Sequence, residues 1–169
     1  MTHALQASIK KEYHGRHDVG STSLMNPWGH LAAAAPLAGA VYLAGGPPLT
    51  AAAAGAASVL VDLDHLVDYL WINKGRIQLG GMYRDYRKHR TPKLILVLHS
   101  WELAFLTLAC AWLLTAPALV WGAAIGWIFH LACDQLVNRV GPPFYLLSYR
   151  YFRGFDRRKL PCPQGEAEP

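Results

Sequence analysis

Three shortages mark this 169-residue chain. Cysteine is the first. There are three, an odd number with no C-x-x-C pair, which excludes a disulfide scaffold. Cys110 and Cys133 fall in apolar runs and read as small core residues. Charge is the second: 16% of residues, against about 25% in a soluble domain. With 53% hydrophobic residues the chain is no disordered polymer, since those are polar and charge-rich. The third shortage is local. No Lys or Arg occurs within 28–45, 49–72, 94–116 or 118–137. Each run is close to the about 20 apolar residues with which a helix crosses a bilayer. Four such runs leave too little polar surface for a soluble helical core. The expected fold is therefore all-α, an integral membrane four-helix bundle. Alanine and glycine in the first two runs suit close helix packing in lipid.

All 16 basic residues lie outside the runs: three before the first, seven between the second and third, and six after the fourth. The other two connections, Gly46-Pro47-Pro48 and Pro117, carry none. The positive-inside rule then places both termini and the 73–93 segment in the cytoplasm. The pI near 9.2 follows from this asymmetry and from attraction to anionic lipid headgroups, and no nucleic-acid partner is expected. Leu79, Met82, Tyr83 and Tyr86 alternate with Arg84, Arg87, Lys88 and Arg90 at roughly helical spacing, which predicts an interfacial amphipathic segment between the second and third helices. Three parts are thus expected: a cytoplasmic segment 1–27, a four-span catalytic domain 28–137 and a basic, aromatic interfacial tail 138–169.

Within the runs stand Asp62, Asp64, Asp68, Glu102 and Asp134, joined by His30, His65, His99 and His130, and by no basic residue. A charged side chain at the bilayer centre costs about 2.5–3.5 kcal/mol on insertion scales, so five carboxylates require protonation or a cation. Histidine with carboxylate and without cysteine suits a divalent ion, zinc foremost, manganese or iron next. At 1.5 Å rise per residue, all four runs carry these groups in the half nearest the basic flanks. Asp62 and His65, and His99 and Glu102, are three apart; His130 and Asp134 are four apart. Each pair then shares a helix face, which is how bundles build metal sites. The expected ligands are His30, Asp62, Asp64, His65, His99, His130 and Asp134, holding one or two ions. Glu102 and Asp68 are the candidate general bases. His14, His17 and Asp18 read as solvated.

Asp62-Leu63-Asp64-His65, His99-Ser100 and Gly126-x-x-x-His130-x-x-x-Asp134 resemble a group of small bacterial inner-membrane proteins described as metal-dependent hydrolases. That group includes the LexA-binding, inner-membrane-associated hydrolases. Its members show a histidine in the first span, D-x-D-H in the second, H-R-x-x-T-H-S before the third and H-x-x-x-D in the last. Here a longer stretch separates His89-Arg90-Thr91 from His99-Ser100. The resemblance implies a bacterial inner-membrane location and the same seven ligands. The H-x-x-x-D pair is also similar to that of helical zinc phospholipases C, which by analogy favours a phosphoester.

The expected function is therefore a membrane-embedded metal-dependent hydrolase. Its substrate would be a membrane lipid or lipid-linked molecule cleaved at the cytoplasmic side, a phosphoester before an amide or carboxylic ester. His89, Arg84, Arg87, Arg90 and Lys93 are the expected contacts to an anionic headgroup. A homo-oligomer is left open. The competing reading is a non-enzymatic divalent metal-binding or metal-transport protein, because carboxylates and histidines at depth also suit ion passage.

Overall fold

The computed structural model describes residues 27–76, 82, 91–138 and 140–161. Among these, all regular structure is helical apart from an isolated antiparallel bridge between Lys93 and Asp156. The helices are α1 (Pro27–Leu43), α2 (Pro48–Leu60), α3 (Leu63–Ile72), α4 (Trp101–Leu113), α5 (Ala118–Val137) and a short α6 (Leu147–Phe152), with 3-10 turns at Pro142–Tyr145 and Arg157–Lys159. Two stretches are long and apolar enough to cross a membrane: Pro48–Ile72, taken as one, and Ala118–Val137. Most of the 73–93 segment, with Arg84, Arg87, His89 and Arg90, lies outside the described residues, as does the 1–26 segment.

Small residues set the architecture. α2 lies between α1 and α5, and α5 also packs on α4. On α5, Gly122, Gly126, His130 and Asp134 follow at intervals of four, so they share one face. A Cβ at Gly126 would collide with the Ala54 carbonyl oxygen and lie 2.9 Å from the Ala57 Cβ. One at Gly122 would collide with the Thr50 carbonyl. The backbones of α2 and α5 thus touch, the close approach that glycine permits in apolar bundles. The chain reverses between α1 and α2 through Gly45, whose φ of +87° is glycine territory.

Two of the expected spans are interrupted. The 49–72 run breaks at Val61–Asp62, where the bonds tighten: Asp62 N–H donates to the Val59 carbonyl and Asp64 N–H to that of Val61. These are three-residue steps, and a mid-helix stretch of this kind commonly sits at a functional position. The 94–116 run forms a helix only from Trp101. Ser100 caps it, accepting the Leu103 N–H. Residues 94–99 are non-helical because other acceptors take their amides: Ile95 N–H donates to Asp68 (2.9 Å) and Leu98 N–H to Asp64 (2.6 Å). The expectation that His99 and Glu102 lie one turn apart on a helix is corrected accordingly; His99 stands just ahead of the helix.

The stretch expected to be a separate interfacial tail is half core. Tyr145, Phe144 and Leu160 are buried with Leu94, Leu96, Ala104 and Leu131 in one cluster. Tyr151 and Phe152 face outward.

Candidate metal centre

The break in the second run builds the first half of the site. In an unbroken helix the Ser58 carbonyl would accept the Asp62 N–H. That N–H goes instead to Val59, and the released Ser58 carbonyl accepts a hydrogen bond from His130 Nδ1 at 2.8 Å. A carbonyl can only accept, so the Nδ1 of His130 carries the proton and its Nε2 presents a lone pair.

His99 is set by a different device. Asp64 Oδ2 accepts from the His99 main-chain N–H (3.3 Å) and faces its Nδ1 at 3.4 Å. The Arg150 guanidinium donates to the His99 carbonyl at 2.8 Å. One residue earlier Trp127 donates its indole N–H to the Leu98 carbonyl. Leu96, buried with φ of +45°, is a strained turn that these anchors hold in place. With its Nδ1 turned to Asp64, His99 directs Nε2 into the cluster. A carboxylate behind a histidine in this way is the usual support of a metal ligand.

The two Nε2 atoms face each other. His99 Nε2 lies 3.3 Å from His130 Nε2, and around them stand Asp134 Oδ2 at 3.5 and 3.7 Å and Asp62 Oδ1 at 3.9 and 3.7 Å respectively. His30 Nε2 is 3.1 Å from Asp134 Oδ1, and His65 Nε2 is 3.8 Å from Asp62 Oδ1. Donors about 2.0–2.2 Å from a tetrahedral ion are roughly 3.3–3.6 Å apart, so the spacing is that of a ligand cage. His30, His99, His130 and Asp134 are buried; Asp62 and His65 retain 19% and 32% of their side-chain exposure and form the open side. This cluster could hold a metal ion. The donors divide into two sets, His30 with His130 and Asp134, and Asp62 with His65 and His99.

Six of the seven ligands expected from spacing converge here: His30, Asp62, His65, His99, His130 and Asp134. Asp64 belongs to neither donor set and stands behind His99. The two expected bases lie elsewhere. Asp68 is occupied by the Ile95 amide. Glu102 accepts from the Ser100 hydroxyl, the Leu147 and Ser148 amides and the Ser148 hydroxyl, and so ties α4 to α6. Lys93 is exposed, paired to Asp156 through main chain.

Arg150 is the residue that sequence reasoning missed. It lies among tyrosines and arginines that read as headgroup contacts, yet it is fully buried, and burial lowers its pKa to about 10. The same burial raises the Tyr145 hydroxyl above its ordinary range, although it accepts from the Asn138 side chain at 3.1 Å. The Ser58 carbonyl was equally hidden, because a main-chain oxygen leaves no trace in residue identity.

No family model, curated protein or solved structure matches this chain.

Proposed function

We propose that the chain is a membrane-embedded, metal-dependent hydrolase of the kind its motifs resemble. The reading includes four membrane-crossing segments with both termini cytoplasmic. Its substrate is a lipid or lipid-linked phosphoester whose headgroup lies at the cytoplasmic face of a bacterial inner membrane. One observation carries it: the Nδ1 atoms of His99 and His130 are both engaged behind the rings, and the two Nε2 atoms face each other at 3.3 Å between carboxylates. Two imidazole nitrogens set this closely between carboxylates form a pocket in which a bound cation would meet donors on every side. A bound divalent ion, zinc first and manganese or iron next, would bring the pKa of a coordinated water towards about 7 and polarise a phosphoryl oxygen.

The chain's own groups then divide the work. Asp64 and the Ser58 carbonyl fix the tautomers of His99 and His130. Asp62 and His65 face the open side from which substrate arrives. In this reading Asp68 and Glu102 hold main-chain amides rather than take the proton. The membrane setting is supported by large apolar side chains on the outside: Trp28, Leu43, Trp112 and Leu136 are all exposed. Lys93, Arg153, Arg158 and Lys159, exposed at the tail and the segment paired with it, suit an anionic headgroup.

The test is reconstitution of purified protein with a panel of phospholipids and isoprenoid phosphates. Chelator-sensitive hydrolysis, restored by added metal and absent in His130→Ala, is the expected result. Metal-loaded protein that leaves the whole panel intact overturns the hydrolase. Ion flux across the same liposomes would then favour the transport reading.

A further inference from the structure

We infer that the centre is dinuclear, with Asp62 and Asp134 each bridging two divalent ions. The inference deepens the metal reading above and adds the number of ions and the role of each carboxylate.

The geometry rests on the two oxygens of each aspartate. Asp134 Oδ1 lies 3.1 Å from His30 Nε2, while its Oδ2 lies 3.5 Å from His99 Nε2. Asp62 repeats the pattern: Oδ2 is 3.9 Å from His30 Nε2, and Oδ1 is 3.9 Å from His99 and 3.8 Å from His65. Each carboxylate therefore offers one oxygen to the His30 side and the other to the His99 side. A carboxylate serving one ion would direct one or both oxygens to a single centre.

Donor number points the same way. Four imidazole nitrogens and four carboxylate oxygens converge, twice what a tetrahedral ion accepts. They also fall into two adjoining sets of three residues, each within 4.8 Å, which meet where His130 Nε2 and His99 Nε2 face the same carboxylate oxygens. Asp62 Oδ2 is buried and has no hydrogen-bond partner, although it faces into the cluster. A lone carboxylate oxygen deprived of water and of donors is costly unless a cation meets it. One ion on the His99 side would leave that oxygen orphaned; a second ion on the His30 side satisfies it. Paired ions in hydrolytic sites stand about 3.5–4 Å apart, a separation that a bridging carboxylate spans.

Charge balance agrees. Asp62 and Asp134 supply two negative charges to the cage, and four positive charges from two ions leave room for an anionic substrate and a bridging hydroxide. This pairing favours a substrate whose reacting group presents two oxygens, as a phosphoester does, over an amide.

Stoichiometry and magnetic coupling test this without any substrate. Full-length protein in detergent, stripped with chelator and dialysed, is titrated with Mn(II), with metal content read by mass spectrometry and coupling by electron paramagnetic resonance. Two ions per chain with an exchange-coupled spectrum are expected. His65→Ala should halve the content to one ion with an uncoupled spectrum, because it removes a ligand from one side only. One uncoupled ion in the unaltered protein overturns the pair and leaves the single-metal reading standing. Two ions without coupling overturn the bridges. No bound ion overturns both.

Discussion

His130 and His99 end with their Nε2 atoms 3.3 Å apart, yet the two regions that deliver them are built on different principles. His130 rides on α5, whose glycines bring its backbone against α2, and its ring is oriented by a bond to the Ser58 main-chain carbonyl and by stacking on His30. His99 rides on a non-helical segment that is held by side chains: Asp64 and Asp68 take its amides, and Arg150 takes its carbonyl. The first region is positioned by what is absent, a Cβ at two places. The second is positioned by buried charge, which must be satisfied or the segment has no reason to stay. Helix packing gives a rigid half of the site; the charged half can be altered without dismantling the bundle.

Gly126→Leu should break the comparison most severely. The Ala54 main chain cannot move aside as a flexible side chain would, so a loss of several kcal/mol and of the folded protein is expected. Thermal unfolding followed by circular dichroism measures it. Gly39→Ala, where a Cβ meets nothing within 4 Å, should leave the melting temperature unchanged or slightly raised.

His130→Ala comes next. It should abolish tight metal binding while the helical signal survives, and retention of metal at the original affinity would remove His130 from the cage. Asp64→Ala should weaken metal binding by about 10–100-fold, the usual consequence of losing the partner behind a ligating histidine. An unchanged affinity would show that His99 needs no support from Asp64.

Arg150→Met should shift metal affinity in the same direction but less, since it removes the bond to the His99 carbonyl and leaves the ligand itself. Partial recovery in Arg150→Lys would locate the effect in the donated hydrogen bond. Glu102→Gln should do least to the centre. Three of its bonds tie α4 to α6 and the fourth holds its own cap at Ser100, so metal content stays constant and only the melting temperature falls. If Glu102→Gln also abolished turnover with metal in place, its role as a base would return.

Much of the site could be read from spacing. His130 and Asp134 four apart, and Asp62 with His65 three apart, are facts of sequence that any helix converts into a shared face, and both pairs reach the cluster. His99 reaches the cluster from a non-helical segment, not from the helix face that its spacing to Glu102 suggests. The apolar run 94–116 carries a helical hydrophobic signal throughout, but hydropathy counts side chains and says nothing of where amides find acceptors. Asp64 and Asp68, a helix away, supplied them. The same two carboxylates, expected as ligand and base, hold main-chain amides of this segment.

The sequence by itself determined the all-helical class, the apolar runs and the set of groups that must be neutralised, because composition and period act locally along the chain. Tertiary structure decided which of those groups converge in one cluster and which stand behind it. That choice depends on distances of a few tenths of an ångström between helices: whether a carbonyl is released at Ser58, whether a glycine lets two backbones touch, whether an arginine from beyond the last span is drawn in among carboxylates. Such contacts join residues up to 104 positions apart, as in His30 and Asp134, and no local rule along the chain fixes them.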